Sequence, residues 1–239
     1  MKALMPLLAP LLLAALLCAC DLDDDDCLRA SNTIVAEQLF LPPLQGLELE
    51  LPTQVTLRQG PVQQIVAEGP QNILGLLEDD VEDGIWRVTI RGCVQNLSQL
   101  RIDATLPACR YLAITGTGNI FSENVLLTDQ LDMDITGQGQ MDVAVEAPRV
   151  RAGISGAGNY RLEGVTDLLE FDLSGAGNLN AFDLDALEAD ISIVGSGSAE
   201  VFARDRLRVN ISGQGTVFYR GQPQLDVNIS GVGDVIDAN

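Results

Sequence analysis

The chain of 239 residues contains no histidine, and its one lysine is Lys2. Without imidazole, and with only five cysteines, it lacks the donors from which zinc sites are usually assembled, so no metal centre is expected. Setting Lys2 aside leaves 13 arginines against 34 acids, a net −21 for the rest of the chain. A surface of that sign repels phosphate backbones and anionic headgroups, which excludes nucleic acid as a partner. The apolar run at residues 3–19 is short for a membrane span, which needs about 20 residues. Lys2 precedes it and Pro6 and Pro10 interrupt it, so residues 1–19 read as a targeting segment. Helical patterning is almost missing as well; only Asn72 to Leu77 admits a short helix.

What the chain has is a repeat. Seven segments share one pattern: ITGTGNI (114–120), ITGQGQM (135–141), ISGAGNY (154–160), LSGAGNL (173–179), IVGSGSA (193–199), ISGQGTV (211–217) and ISGVGDV (229–235). Their first glycines are spaced by 21, 19, 19, 20, 18 and 18 residues. A fixed period near 19 is the mark of a solenoid, in which each repeat is one turn stacked on the next.

Alignment on the first glycine gives the local structure. Two residues before it stand Ile114, Ile135, Ile154, Leu173, Ile193, Ile211 and Ile229; four before it stand Leu112, Met133, Ala152, Phe171, Ile191, Val209 and Val227. Leu131, Val150, Leu169, Ala189, Leu207 and Leu225 come six before. Apolar residues at every second position define a strand with one buried face. Alternation resumes after the G-x-G at Ile120, Met141, Tyr160, Leu179, Ala199, Val217 and Val235, so the glycines sit at a corner between two strands. Asp129, Pro148, Asp167, Asp205 and Pro223, eight residues before the glycine, mark a second corner. Such turns stack into a parallel β-helix with about 4.8 Å between them, and like residues lie on like. A propeller blade needs about 40 residues, twice the period seen here. Residues 40–110 alternate more weakly, as at Leu47–Leu51, Ile85–Ile90 and Leu100–Ala104, and read as less regular coils of the same stack.

Two resemblances add to this reading. Leu17-Cys18-Ala19-Cys20 resembles a bacterial lipobox, which implies lipid attachment at Cys20 and a mature chain beginning there. The acidic run Asp21 and Asp23 to Asp26 resembles the surface-export signal of Bacteroidetes lipoproteins, and like charges keep it an extended tether. Over about residues 35–239 the I-S-G-x-G repeats resemble the GIN-domain family of auto-transporter adhesin heads. Val55–Gly60, Glu68–Leu74, Asp83–Trp86 and the closing Val217–Pro223 are similar to further segments of that family. The resemblance implies an all-β chain folded as a right-handed single-stranded parallel β-helix with about 18–21 residues per turn. The expected divisions are a signal peptide at 1–19, a lipidated acidic tether at 20–34, less regular coils at 35–113 and the seven-repeat helix at 114–239.

For function, the outward carboxylates Asp132, Asp134, Glu170, Asp172 and Asp190 come from neighbouring turns, and their expected role is to keep a long sheet soluble and stop lateral pairing. As a functional alternative they form a binding face, for a glycan, a protein or Ca²⁺, or an acid/base pair in a polysaccharide-cleaving enzyme. No catalytic residue and no cofactor is expected, since neither His nor Lys can act as base beyond Lys2. The G-x-G copies lack both the βαβ context of a dinucleotide site and the regular aspartate of calcium nonapeptides. Cys27, Cys93 and Cys109 allow three disulfide pairings. Likeness to related lipoproteins favours Cys27–Cys93, with Cys93–Cys109 as the alternative. The chain is thus expected to be a non-enzymatic, lipid-anchored display module of the bacterial envelope, at the outer membrane or cell surface.

Overall fold

A computed structural model describes residues 27–239. The lipobox, Cys20 and the aspartate run lie outside the described residues. The rest is an all-β solenoid of parallel coils around one aliphatic core. The repeating coil is almost a single strand, as in Gln140–Gly156, Asn159–Gly175 and Asn178–Gly195. Each residue pairs with its equivalent one coil away: Ile135 with Ile154, Ile154 with Leu173, Leu173 with Ile193, Ile193 with Ile211. Parallel in-register stacking explains why the columns read from the sequence are columns in space. Leu131, Met133, Ile135, Val150, Ala152, Ile154, Leu169, Phe171 and Leu173 are all buried.

The G-x-G corner does not interrupt the backbone ladder. The middle residue donates its N–H to the first glycine's carbonyl one coil below: Gln138 to Gly116 at 2.8 Å, Ala157 to Gly137 at 2.8 Å, Ser196 to Gly175 at 2.9 Å. That carbonyl occupies the space above which a β-carbon would project. A Cβ on Gly175 would lie 2.2 Å from the carbonyl oxygen of Gly156, and Gly175 has φ +134. The second corner falls where the ladder skips a residue, between Ala147 and Arg149 and between Thr166 and Leu168. Differences in coil length are absorbed after the G-x-G. The pairing passes from Ala181–Val201 to Asp185–Phe202, so residues 182–184 bulge out of the ladder.

The first third of the chain joins the same stack, but not in chain order. The strand Tyr111–Gly116 lies on Gly46–Leu49, and Gly46–Leu49 lies on Ile85–Val88, so 46–49 is sandwiched between two later segments. On the other side Asn119–Ser122 lies on Gln54–Gln59, which lies on Arg101–Leu106. Two antiparallel strands, Gln64–Pro70 and Ile34–Leu39, finish that side. A single turn of helix, Gln71–Leu74, closes the end and buries Ile73 and Leu74, with Trp86 buried beside them in the same core. Trp86 satisfies its ring N–H on the Glu78 carbonyl at 2.9 Å. Cys27 and Cys93 form a disulfide, and the short parallel pairing of Leu28–Arg29 with Val94–Gln95 continues it.

Candidate functional site

The strands preceding the glycine corner form one continuous outward face. Pairing register resolves it into rows. One row runs Tyr111, Asp132, Arg151, Glu170, Asp190, Arg208 and Asp226. The next runs Ala113, Asp134, Gly153, Asp172, Ser192, Asn210 and Asn228. A third carries the hydroxyls of Thr115, Thr136, Ser155 and Ser174. Strand alternation sends these side chains out for the same reason that it sends the aliphatic columns in.

All five candidate carboxylates lie on this face, yet they do not form one acidic cluster. Arginines of adjacent coils are interleaved with them. Glu170 accepts from Arg149 at 2.7 Å and Asp190 from Arg208 at 2.9 Å. Arg151 reaches Asp172 at 4.0 Å, and Asp132 accepts from Gln130 at 2.7 Å. Arg208 also meets Asp226 at 3.4 Å, and Arg206 pairs with Glu188. The arginine–carboxylate pairs span coils, so each bridges two rungs of the ladder. Most of the groups are too exposed for any pair to contribute more than about 1 kcal/mol. Their effect is to hold a regular pattern of charge on a flat sheet.

Asp134 differs from the other four. Burial pushes its carboxyl above the ordinary value, Arg151 partly offsets this, and the neighbouring Asp132 adds to it. Gly153, the next residue in its row, leaves room for it: a Cβ there would meet Asp134 Oδ1 at 2.5 Å. A shallow depression of about 280 Å³ follows, lined by Asp134, Thr136, Gly153, Ser155, Asp172 and Ser174 among others.

A further group lies on the same face nearer the closed end, and the spacing of the repeats gave no sign of it. Tyr111 is flanked by Glu48, Asp132 and Asp134; burial first, then those three carboxylates, raise its phenol above the ordinary value. Glu48 accepts from Thr115 at 3.1 Å and lies 3.7 Å from Arg87. Arg87 also reaches Glu50 at 3.3 Å and Asp80 at 3.1 Å. A depression of about 190 Å³ is lined here by Glu48, Asp80, Glu82, Asp83, Arg87 and Tyr111 together with Ile85. Only the out-of-order stacking brings residue 87 against 48 and 48 near 111. The aromatic ring among outward acids is the one sequence signal that could have drawn attention to Tyr111.

Among the cysteines, Cys109 comes near this face, its Sγ 3.9 Å from the Tyr111 carbonyl. Cys109 is a free, buried thiol, pushed up to about 12 chiefly by desolvation. No group of three or more acids, cysteines or histidines among the described residues could hold a metal ion.

Comparison with known proteins adds a family. The family model described as "Putative auto-transporter adhesin, head GIN domain" matches residues 43–223. No curated protein matches the chain. Among solved structures, the chain is similar to a "putative adhesin" from Bacteroides fragilis, with a TM-score of 0.83 and 23% identity over 87% of this chain and 98% of that one. It is also similar to a "Putative lipid binding protein" from Parabacteroides distasonis, with a TM-score of 0.75 and 16% identity over 88% and 99% of the two chains. A "putative adhesin" from Parabacteroides merdae gives a TM-score of 0.72 and 15% identity over 89% and 100%. At these identities the likeness is one of fold.

Proposed function

Because the chain belongs to the GIN-domain family, we propose that it is a non-enzymatic binding module displayed on the bacterial envelope and anchored through a lipid on Cys20. The observation that carries this reading is the interleaving of acids and arginines along one row, Asp132, Arg151, Glu170, Asp190 and Arg208. A flat face with donors and acceptors repeating at the strand spacing of about 4.8 Å suits an extended ligand, a glycan chain or a protein strand, which can be met by several coils at once. Rigidity helps, because a face that needs no ordering loses little entropy on binding. Tyr111 and Asp134 each line a shallow depression on it. The names of the structural relatives, adhesin and lipid-binding protein, support a binding role while implying different ligands.

The test is a glycan array probed with residues 27–239, beside attachment of bacteria that display the full chain. Binding should be retained by a variant far from the face, such as Val62→Ser, and lost by Tyr111→Ala combined with Arg151→Ala. A blank array together with unaltered attachment by the double variant would refute the reading.

One observation favours a second reading. Asp134 is raised beside Asp132, and two carboxyls with unlike environments are what acid/base cleavage of a polysaccharide uses. That reading requires release of reducing ends from a polysaccharide by the wild-type chain and not by Asp134→Asn.

A further inference from the structure

The two ends of the solenoid are finished differently. At the first end the antiparallel strand Ile34–Leu39 and the helical turn Gln71–Leu74 cover the stack, and Ile73, Leu74 and Trp86 are buried. The last coil repeats the pattern of the coils beneath it, and among the described residues nothing lies on it. Leu225, Val227 and Ile229 stand directly on Leu207, Val209 and Ile211. The lower three are at most 2% exposed, whereas the upper three are 43%, 41% and 39% exposed. On the other side of the coil Val235 stands on the fully buried Val217 and is itself only half-buried. The strand Gln224–Gly231 pairs only with the coil below, and so does Asp234–Asp237. One surface therefore presents apolar side chains and unpaired ladder N–H and C=O groups together, the combination that recruits another strand.

We propose that this end binds the same end of a second copy, giving a two-fold dimer in which Gln224–Gly231 pairs antiparallel with itself about Val227. Three features select that occupant. A head-to-tail stack would need an open first coil on the partner; at that end the helical turn covers the core, and the edge that remains, Ile34–Leu39, runs antiparallel to its neighbour and cannot continue the parallel in-register columns. Pairing centred on Val227 keeps the alternation in phase: Val227 meets Val227 of the partner subunit, and Leu225 meets the partner subunit's Ile229. Both aliphatic columns then run into one core. The charge pattern fits as well. Asp226 is the only charge on the strand, and in this register it faces the partner subunit's Asn228 rather than its own symmetry mate. Its charge is already met by Arg208 at 3.4 Å. The contact is self-complementary and occupies the open end of each copy, so assembly closes at two copies.

Variants of the full chain that carry one added cysteine, purified in a mild detergent and oxidised with copper phenanthroline, test the register. Val227→Cys should give a disulfide-linked dimer well above the wild-type background. Asp226→Cys and Asn228→Cys should each give none alone and a dimer when mixed. Sedimentation of the wild-type chain should show a dimer at about 10 µM that tightens in high salt, since salt screens the repulsion between two acidic bodies. Val227→Arg should sediment as a monomer with an unchanged far-ultraviolet circular dichroism spectrum. A wild-type monomer at about 100 µM would overturn the proposal. So would cross-linking of Val227→Cys no greater than that of Phe40→Cys, which lies at the opposite end.

Discussion

The side chain of Ile135 occupies the space in which Gly158 would carry a β-carbon: an ideal Cβ there would lie 2.5 Å from Ile135 Cγ2. The same relation links Ile114 to Gly139, at 2.6 Å, and Ile193 to Gly215, at 2.6 Å. The repeated isoleucine and the second glycine of the motif are therefore one packing unit shared by consecutive coils. The first glycine has a different reason, its positive φ and the carbonyl beneath it. Gly158→Ala should destabilise the fold by about 1–3 kcal/mol through overpacking. Ile135→Ala should cost about 2–5 kcal/mol through the cavity it leaves. Denaturant unfolding of the double variant should fall short of the sum by at least about 1 kcal/mol, because one change makes room for the other. Strict additivity would show that the two side chains do not share that space.

Adjacent residues 210 and 211 should behave oppositely. Ile211 is buried and Asn210 exposed. Ile211→Asp removes about 2 kcal/mol of apolar burial and adds several more for an unpaired carboxylate. Asn210→Asp keeps the acceptor that Asn228 approaches at 3.5 Å and should shift stability by no more than about 0.5 kcal/mol. Thermal melts of the two variants beside wild type decide the matter, and equal melting temperatures would contradict the register.

Asp134 makes the stability depend on pH in a defined direction. Burial raises its carboxyl in the folded state, so the native form holds that proton more tightly than the unfolded form does. Its stabilising share is full below the unfolded value, about 3.9, and is lost as pH rises through the higher folded value. Asp134→Asn should thus gain stability relative to wild type as pH rises from about 3 to 7, and the two should converge at the acid end. Arg151→Ala should raise the carboxyl further, which a ¹³C NMR titration would register. A gap that widens toward low pH would reverse the sign.

Cysteine chemistry separates the three described residues. Non-reducing peptide mapping should recover Cys27 linked to Cys93. Cys109, buried and pushed up to about 12, should resist iodoacetamide at pH 8 until the chain is denatured. Rapid native labelling of Cys109 would place it elsewhere than in the core.

The anchor proposed from Leu17–Cys20 has its own measurement. Cys20→Ser in the expressing bacterium should abolish incorporation of radiolabelled palmitate and release the chain from the membrane fraction. Several acyl chains hold a protein firmly where one binds only marginally. Undiminished labelling of the variant would remove Cys20 from the role.

Composition and spacing determined the solenoid. Ile114, Ile135, Ile154, Leu173 and Ile193 could be aligned by eye because parallel in-register stacking repeats the same environment once per coil, so the same residue type recurs at the same phase. The outward acids followed by subtraction, from the strand period of two. Only the tertiary structure decided that Gly46–Leu49 lies between Ile85–Val88 and Tyr111–Gly116, because an isolated strand carries no mark of which strand will lie beside it. The group of Glu48, Arg87 and Tyr111 is a product of that choice. So is the pairing of the acids with Arg149, Arg151 and Arg208, since whether two outward side chains meet depends on side-chain direction as well as on the row they occupy. Val209 and Val227 stand at the same place in the repeat, four residues before their glycines, yet one is core and the other open surface. Sequence sets which way a side chain points, while burial depends on whether another coil is laid on top.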